Sequence, residues 1–285
     1  MPIAEIKMCD HRLNIRFISI YPTESALRAL IHPLFVFRCR MLAMAKSIAF
    51  TLPLLALLCG CSGPSFDIRL NYDKAIKECF QVSPEEIKVL ICLKDGEKYV
   101  GASQEGGYYL SFYHNKVGVY TEGSTIQLEE DQYLVTKAEL DDFARDYEED
   151  PLMGFAKRLQ YKMGLDCEGV YKYVTTLLVD VDDLFRPCYC SDVTKQVRYV
   201  TDAEMRKKES PEHVEWFYNE TTKRYFNDNP LPWTRLGYSY DYFYPSKAYG
   251  FTQFVAKEGS SVKVISTQGI DEYYAPYAAE KSSKQ

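Results

Sequence analysis

Residues 133–143 read Tyr-Leu-Val-Thr-Lys-Ala-Glu-Leu-Asp-Asp-Phe, and a change of pattern inside this stretch decides the fold class. The first three residues are strand formers. Thr136 and Glu139 then have the spacing of a capping box, in which the two side chains satisfy free N–H groups at the start of a helix. The stretch therefore predicts that strands lie before Thr136 and that a helix begins after it.

Short β-rich segments lie upstream of this point. They are separated by turn signals such as Asp95-Gly96, which is typical of a hairpin. The predicted strands are residues 87–93, 99–102, 109–113, 117–120, 125–128 and 133–135. Strands at this spacing predict an antiparallel sheet.

Helices and further strands follow. Asp150-Pro151 predicts the start of a second helix that ends near Gly164, and Ser210-Pro211 predicts another that runs through Tyr225. The predicted later strands are 171–181, 196–200, 238–244, 251–255 and 262–265, the last two as a hairpin around 257–260. The sequence thus predicts an α+β fold with antiparallel strand blocks at both ends of the mature domain and helices between them. It leaves open whether the strand blocks join one sheet or form two subdomains divided near residues 136–165.

The first 40 residues differ in composition from the rest. They contain five Arg and one Lys, whereas the chain from residue 61 contains 8 Arg and 19 Lys. Met41 and Met44 follow directly. We therefore predict that translation begins at one of these methionines and that residues 1–40 are a mis-assigned start or a non-native extension.

Residues 41–60 have the pattern of an export signal. Lys46 supplies a positive charge, and residues 48–58 are almost entirely apolar but too short to span a bilayer comfortably. The segment ends in Leu58-Cys59-Gly60-Cys61, followed by a turn-prone run. This ending resembles the lipobox of bacterial lipoproteins, although Cys59 stands where that family usually has Ala or Ser.

The resemblance implies that Cys61 receives a diacylglyceryl group and becomes the N-terminus of a membrane-anchored protein. Ser62 is, by the same resemblance, compatible with an outer-membrane location facing the periplasm. Residues 61–65 would then be the anchor and a short linker, 66–277 the globular domain and 278–285 a loose polar tail. The resemblance covers about 20 residues, and the globular domain resembles no family.

Charge and cysteine content set further expectations. From residue 61 the chain has 37 acidic and 27 basic residues, which argues against a nucleic-acid partner. Cysteines in the periplasm usually pair, so we predict one or two disulfides. The candidates are Cys79, Cys92, Cys167, Cys188 and Cys190.

Candidate binding and catalytic residues are few. Strand alternation would place four tyrosines on one face, which suits an interface or sugar stacking: Tyr238, Tyr240, Tyr242 and Tyr244. Alternation would likewise place Asp180 and Asp182 side by side, as a Ca²⁺ site or an acid–base pair. His114 and His213 are expected to be solvated, and no catalytic, metal or cofactor motif is present.

These features favour a lipid-anchored protein-interaction module with an envelope protein partner: an assembly accessory, an inhibitor or an immunity protein. The acidic run 141–150 is expected to be a solvated face near helix ends; the alternative is a docking surface for a basic partner. Two alternatives stay open. One is a saccharide or peptidoglycan binder that uses the tyrosine row, and the other is a glycan hydrolase that uses two carboxylates.

Overall fold

Two antiparallel sheets form the centre of the protein. A computed structural model describes residues 67–100, 106–148 and 153–283. Nine strands lie in these ranges: β1 (Gly107–His114), β2 (Thr125–Gln127), β3 (Gln132–Thr136), β4 (Tyr173–Asp180), β5 (Leu184–Phe185), β6 (Tyr238–Tyr240), β7 (Tyr249–Thr252), β8 (Phe254–Ala256) and β9 (Ser261–Gly269). Seven of the described strands form one sheet in the order β2-β9-β4-β1-β3-β8-β5, and β6 pairs with β7 in a second.

Helices connect the strands and cover the sheet. The described ranges contain six α-helices: α1 (Ile68–Cys79), α2 (Lys137–Asp146), α3 (Phe155–Lys162), α4 (Asp202–Lys208), α5 (Pro211–Tyr225) and α6 (Ile270–Ser282). Several begin at the capping residues that the sequence indicates. Thr136 Oγ1 accepts the Glu139 N–H at 3.3 Å, and Ser210 caps α5 through the His213 N–H at 3.2 Å.

The mixed α+β fold class is confirmed, and strands from both predicted blocks join the large sheet, although β6 and β7 form the second one. β1 pairs with β4 over eight residues, Leu110 opposite Leu177, and β4 pairs with β9 on its other edge. The C-terminal strand β9 therefore lies inside the same sheet as the strands near the start of the domain.

Both faces of the large sheet are buried. On one face Leu110, Leu177 and Phe254 pack in one apolar cluster. On the other, Val174 packs against Leu159 of α3 and other residues of the helices α2, α3 and α6. Alternation along β1 and β4 supplies side chains to both clusters.

Three predicted strands are wrong: residues 87–93, 117–120 and 196–200 contain no strand. In the first segment, side chains satisfy the backbone instead of a neighbouring strand. Gln196 bonds both the N–H and the carbonyl of Leu90, at 2.8 and 2.7 Å, and Thr252 Oγ1 accepts the Ile91 N–H at 3.2 Å. The predicted 99–102 strand lies partly outside the described residues, and Tyr99 is in a turn.

Other boundaries also differ. The predicted hairpin around 257–260 is wrong, because β8 pairs with β3 and β5 whereas β9 pairs with β2 and β4. The second helix begins at Phe155, and the predicted start at Asp150-Pro151 lies outside the described residues. Residues 278–282 were predicted as a loose tail but belong to α6, where Lys281 Nζ donates to the carbonyl of Tyr147.

Two features of the interior tie α3 to β6 and β7. Arg158 and Asp241 are both buried and form a two-pronged ion pair, with N···O distances of 3.1 and 2.6 Å. Gly250 lies so close to the backbone that an added Cβ would be 2.4 Å from the Lys162 carbonyl oxygen and 2.2 Å from Ser239 Oγ. These contacts fix the second sheet against α3.

Candidate functional site

A cleft of about 700 Å³ opens where the edge strand β5 meets the start of α5. Its walls come from four places: the short 3₁₀ helix Val181–Asp183 with β5, the loop 191–194, the first turns of α5, and the side chains of Asp131 and Lys257. A concave site of this volume at the edge of a sheet is typical of a ligand or peptide pocket.

One wall of the cleft is aromatic. Phe185 contacts Trp216 edge to face with ring centroids 4.5 Å apart, and His213 stacks on Trp216 at 5.7 Å. Trp216 Nε1 donates to Asp131 Oδ2 at 2.6 Å, which fixes the indole orientation. Because Trp216 and Phe185 are only half-buried, their rings are available to a ligand in the cleft.

Neither histidine is solvated, so that expectation is wrong. His213 is buried and its Nε2 lies 2.8 Å from the Cys188 carbonyl oxygen, so this nitrogen carries the proton and donates. Burial lowers the pKa of His213, which keeps it neutral. His114 is buried beside Thr175 Oγ1 at 2.8 Å, and burial lowers its pKa to about 4. His114, at the end of β1, is buried among the rings of Phe112, Tyr120 and Tyr173. His213 is buried where α5 packs on Cys188.

The cleft is acidic. Four carboxylates line it: Asp131, Asp182, Asp192 and Glu212. Lys257 is the one positively charged side chain among the described lining residues. Partial burial opposes ionisation of Asp192, but hydrogen bonds from Lys195 and Thr194 outweigh it and lower its pKa to about 2. Lys257 donates to the Asp182 carbonyl oxygen at 2.9 Å, so its charge is held at the wall. A cationic group between an aromatic face and carboxylates is the ligand this arrangement suits.

The tyrosine row serves mostly to pack the interior. Tyr238, Tyr240 and Tyr242 are buried, and strand β6 ends at Tyr240. Tyr238 and Tyr242 hydroxyls donate to backbone carbonyls at 2.9 and 2.8 Å, and the Tyr240 hydroxyl donates to Glu78. Tyr244 alone of the four offers an exposed ring, at 50%.

The two predicted aspartates do not sit side by side on a strand. β4 ends at Asp180, whose Oδ1 accepts the Asp182 N–H at 3.0 Å and so caps the 3₁₀ helix. Asp182 lines the acidic cleft, whereas Asp180 does not. Alternation along a strand could not reveal this turn.

The five cysteines proposed for bridges are all buried free thiols in the structure. The Cys190 N–H points at Cys188 Sγ at 3.4 Å, so these two lie together. Disulfide formation stays a prediction. Mass spectrometry of the alkylated, unreduced protein tests it, because five alkylated thiols would refute any bridge. Cys61 lies outside the described residues.

Comparison with known proteins adds no relative. The sequence matches no protein-family model, and neither the curated proteins nor the solved structures give a match, in agreement with a globular domain that resembles no known family. In the described ranges no helix combines the length and apolar composition needed to cross a membrane. Among the same residues, no three His, Cys, Asp or Glu side chains are placed to hold a metal ion.

Sequence reasoning missed this cleft because its parts are far apart in the chain. Asp131, Phe185 and Trp216 meet only after the sheet edge and α5 pack together. The sequence predicts only that Trp216 lies in the helix that begins at Ser210-Pro211. The one sequence signal was the acidic character of the domain, which agrees with the charge of the cleft.

Proposed function

We propose that this protein is a lipid-anchored envelope protein that acts as a protein-interaction module, and that the acidic cleft binds a basic segment of its partner. The observation that carries this proposal is the combination of the half-buried Phe185–Trp216 wall with the carboxylates around it. The export signal and the lipobox at Cys61 support the anchor, which places the partner in the cell envelope.

Arginine or lysine is the side chain that fits the cleft chemically. Its charged head is attracted to an aromatic face, and more strongly where water is partly excluded. With four carboxylates and one lysine, the described lining has a formal charge of −3 when all groups are ionised. A basic segment would therefore be both attracted from a distance and held by contact.

Site-specific photocrosslinking in cells tests this proposal. A photoreactive amino acid at Thr194, in the loop that lines the cleft, should capture one envelope protein through a peptide that contains Lys or Arg. The same amino acid at Glu122, which is exposed and does not line the cleft, is the control. Capture of the same proteins from both positions would contradict the proposal.

The double variant Asp182→Asn/Glu212→Gln tests the role of charge. It removes two carboxylates from the cleft with little change of shape, so the yield of the crosslinked partner should fall several-fold. Binding by the native protein should weaken with added salt. Glu122→Gln should leave the yield unchanged. An unchanged yield in the double variant would show that charge does not select the partner.

Saccharide binding is the second candidate, and the exposed part of Trp216 is the observation that favours it. Sugar rings stack on aromatic faces, and their hydroxyls donate hydrogen bonds to carboxylates. A peptidoglycan fragment that changes Trp216 fluorescence, without any effect of salt, would support this candidate over a basic peptide. The Trp216→Phe variant identifies the signal, because the other tryptophan, Trp233, is buried.

A further inference from the structure

We infer that the exposed face of α1, together with Phe226, is a membrane-contact surface that lies against anionic phospholipid headgroups. This inference rests on the lipid anchor of the proposed function. We call this set of residues the α1 surface: Leu70, Lys74, Lys77, Phe80 and Phe226.

One side of α1 is buried in the domain, and the opposite side carries both apolar and positively charged residues. Tyr72, Ala75 and Cys79 bury one side of α1 in the domain. The opposite side carries residues 70, 74 and 77, which the helical repeat of 3.6 residues places in one stripe. Leu70 is 50% exposed, so a large apolar side chain lies among exposed lysines.

Two phenylalanines extend the apolar part. Phe80, directly after α1, is 49% exposed, and Phe226, directly after α5, is 67% exposed. Their ring centroids are 5.9 Å apart, so they form one exposed pair rather than isolated residues. Aromatic and aliphatic side chains next to lysines are typical of helices that lie in the interface of a bilayer.

Two lysines of α1 have no ion-pair partner among the described residues. Asp73 pairs with Arg69 at 3.2 Å, and Glu78 accepts the Tyr240 hydroxyl. Lys74 and Lys77, by contrast, are exposed and form no ion pair with any described residue. Their charge is therefore free to act outward, although the domain as a whole is acidic. Each lysine near an anionic leaflet strengthens the attraction about fivefold.

The anchor brings α1 to the membrane. Five residues lie between the predicted lipid attachment at Cys61 and Asp67, the residue that caps α1. Even a fully extended chain of that length spans only about 20 Å. The first helix of the domain must then lie close to the headgroups, which is why this surface, and not a distant one, is the membrane-contact candidate.

Photocrosslinking to lipid tests the inference on the lipidated mature protein. The protein is reconstituted in vesicles of phosphatidylethanolamine and phosphatidylglycerol, the latter with a photoreactive headgroup. Crosslinks should concentrate on peptides that contain residues 70–80 and Phe226. The variant Lys74→Glu/Lys77→Glu should lower this yield about tenfold or more while the protein stays on the vesicles through its lipid.

Lys207→Glu/Lys208→Glu is the matched control, since both lysines are exposed on α4, and it should leave the yield unchanged. Crosslinks spread evenly over the domain, or an equal loss in both variants, would overturn the inference. The mass of the Cys61 peptide separates the two proposals. If the lipid is present and the α1 surface is not labelled, only this inference fails; if the lipid is absent, the anchor itself fails and this inference with it.

Discussion

Glu139 should make the stability of the protein depend on pH, and the Glu139→Gln variant should remove that dependence. The Glu139 carboxylate leaves the capping box that its spacing predicts and instead accepts the Thr252 N–H at 3.2 Å. Burial raises its pKa to about 8, although that hydrogen bond and Lys162 oppose the change. Lys162 does not form an ion pair with it in the described structure; its ammonium lies 4.8 Å from the centre of the Phe251 ring.

The sign follows from the proton count of the two states. In the unfolded chain the Glu139 pKa returns to 4.5, so between 4.5 and about 8 the folded protein holds a proton that the unfolded protein has released. Folding is therefore favoured at low pH, and this stabilisation is lost as the pH rises through about 8. At about 1.4 kcal/mol for each pH unit, the contribution amounts to about 5 kcal/mol in total and about 2 kcal/mol between pH 6 and 7.5.

Urea unfolding of the mature protein at a series of pH values from 6 to 8.5 measures this effect. The difference in unfolding free energy between the native sequence and Glu139→Gln isolates Glu139, since the other titrating groups are common to both. Glu122→Gln, at an exposed carboxylate, is the control and should give a constant difference. A difference for Glu139→Gln that is equally constant over this range would refute the reasoning.

Three other substitutions have defined outcomes. Asp241→Asn leaves the buried Arg158 without its charged partner, so the unfolding free energy should drop by about 3–5 kcal/mol. A urea midpoint close to that of the native protein would contradict this prediction. Gly250→Ala should lower the melting temperature markedly because its Cβ meets backbone, whereas Gly154→Ala, which meets nothing within 4 Å, should not. Burial lowers the pKa of His114 to about 4, so the unfolded chain takes up a proton first as the pH falls below 6.5, and stability is lost. The variant His114→Gln should therefore flatten the acid limb of a curve of unfolding free energy against pH. An identical acid limb would exclude this histidine as the cause.

Local signals were sufficient for much of the fold. Each of three elements is determined by residues close in sequence: the helix after Thr136, the helix that Ser210 caps and Pro211 begins, and the β-branched strand β4. The α+β class followed from the order of these elements. The antiparallel pairing of β1 with β4 agrees with it, although its register could not be derived.

Distant partners explain what the sequence did not reveal. Residues 87–93 have the composition of a strand, but Gln196 and Thr252 occupy their hydrogen-bonding groups from more than 100 residues away. The candidate site has the same origin, since Trp216 becomes part of the cleft wall only where α5 packs beside Phe185. Alternation along 238–244 does not give an exposed row, because β6 ends at Tyr240 and packing buries Tyr238, Tyr240 and Tyr242. Tyr244 is the one exposed ring of the four.

The position of β9 within the large sheet constrains when this protein can fold. One edge of β4 pairs only with β9, and β2 has no other strand partner in the described sheet. A chain that emerges N-terminus first must keep these edges unpaired until residue 269 has arrived, which makes closure of the sheet a late and slow event. Until β9 has arrived, the open edges are free to pair with other chains, so a truncation before β9 should aggregate rather than form a smaller stable domain.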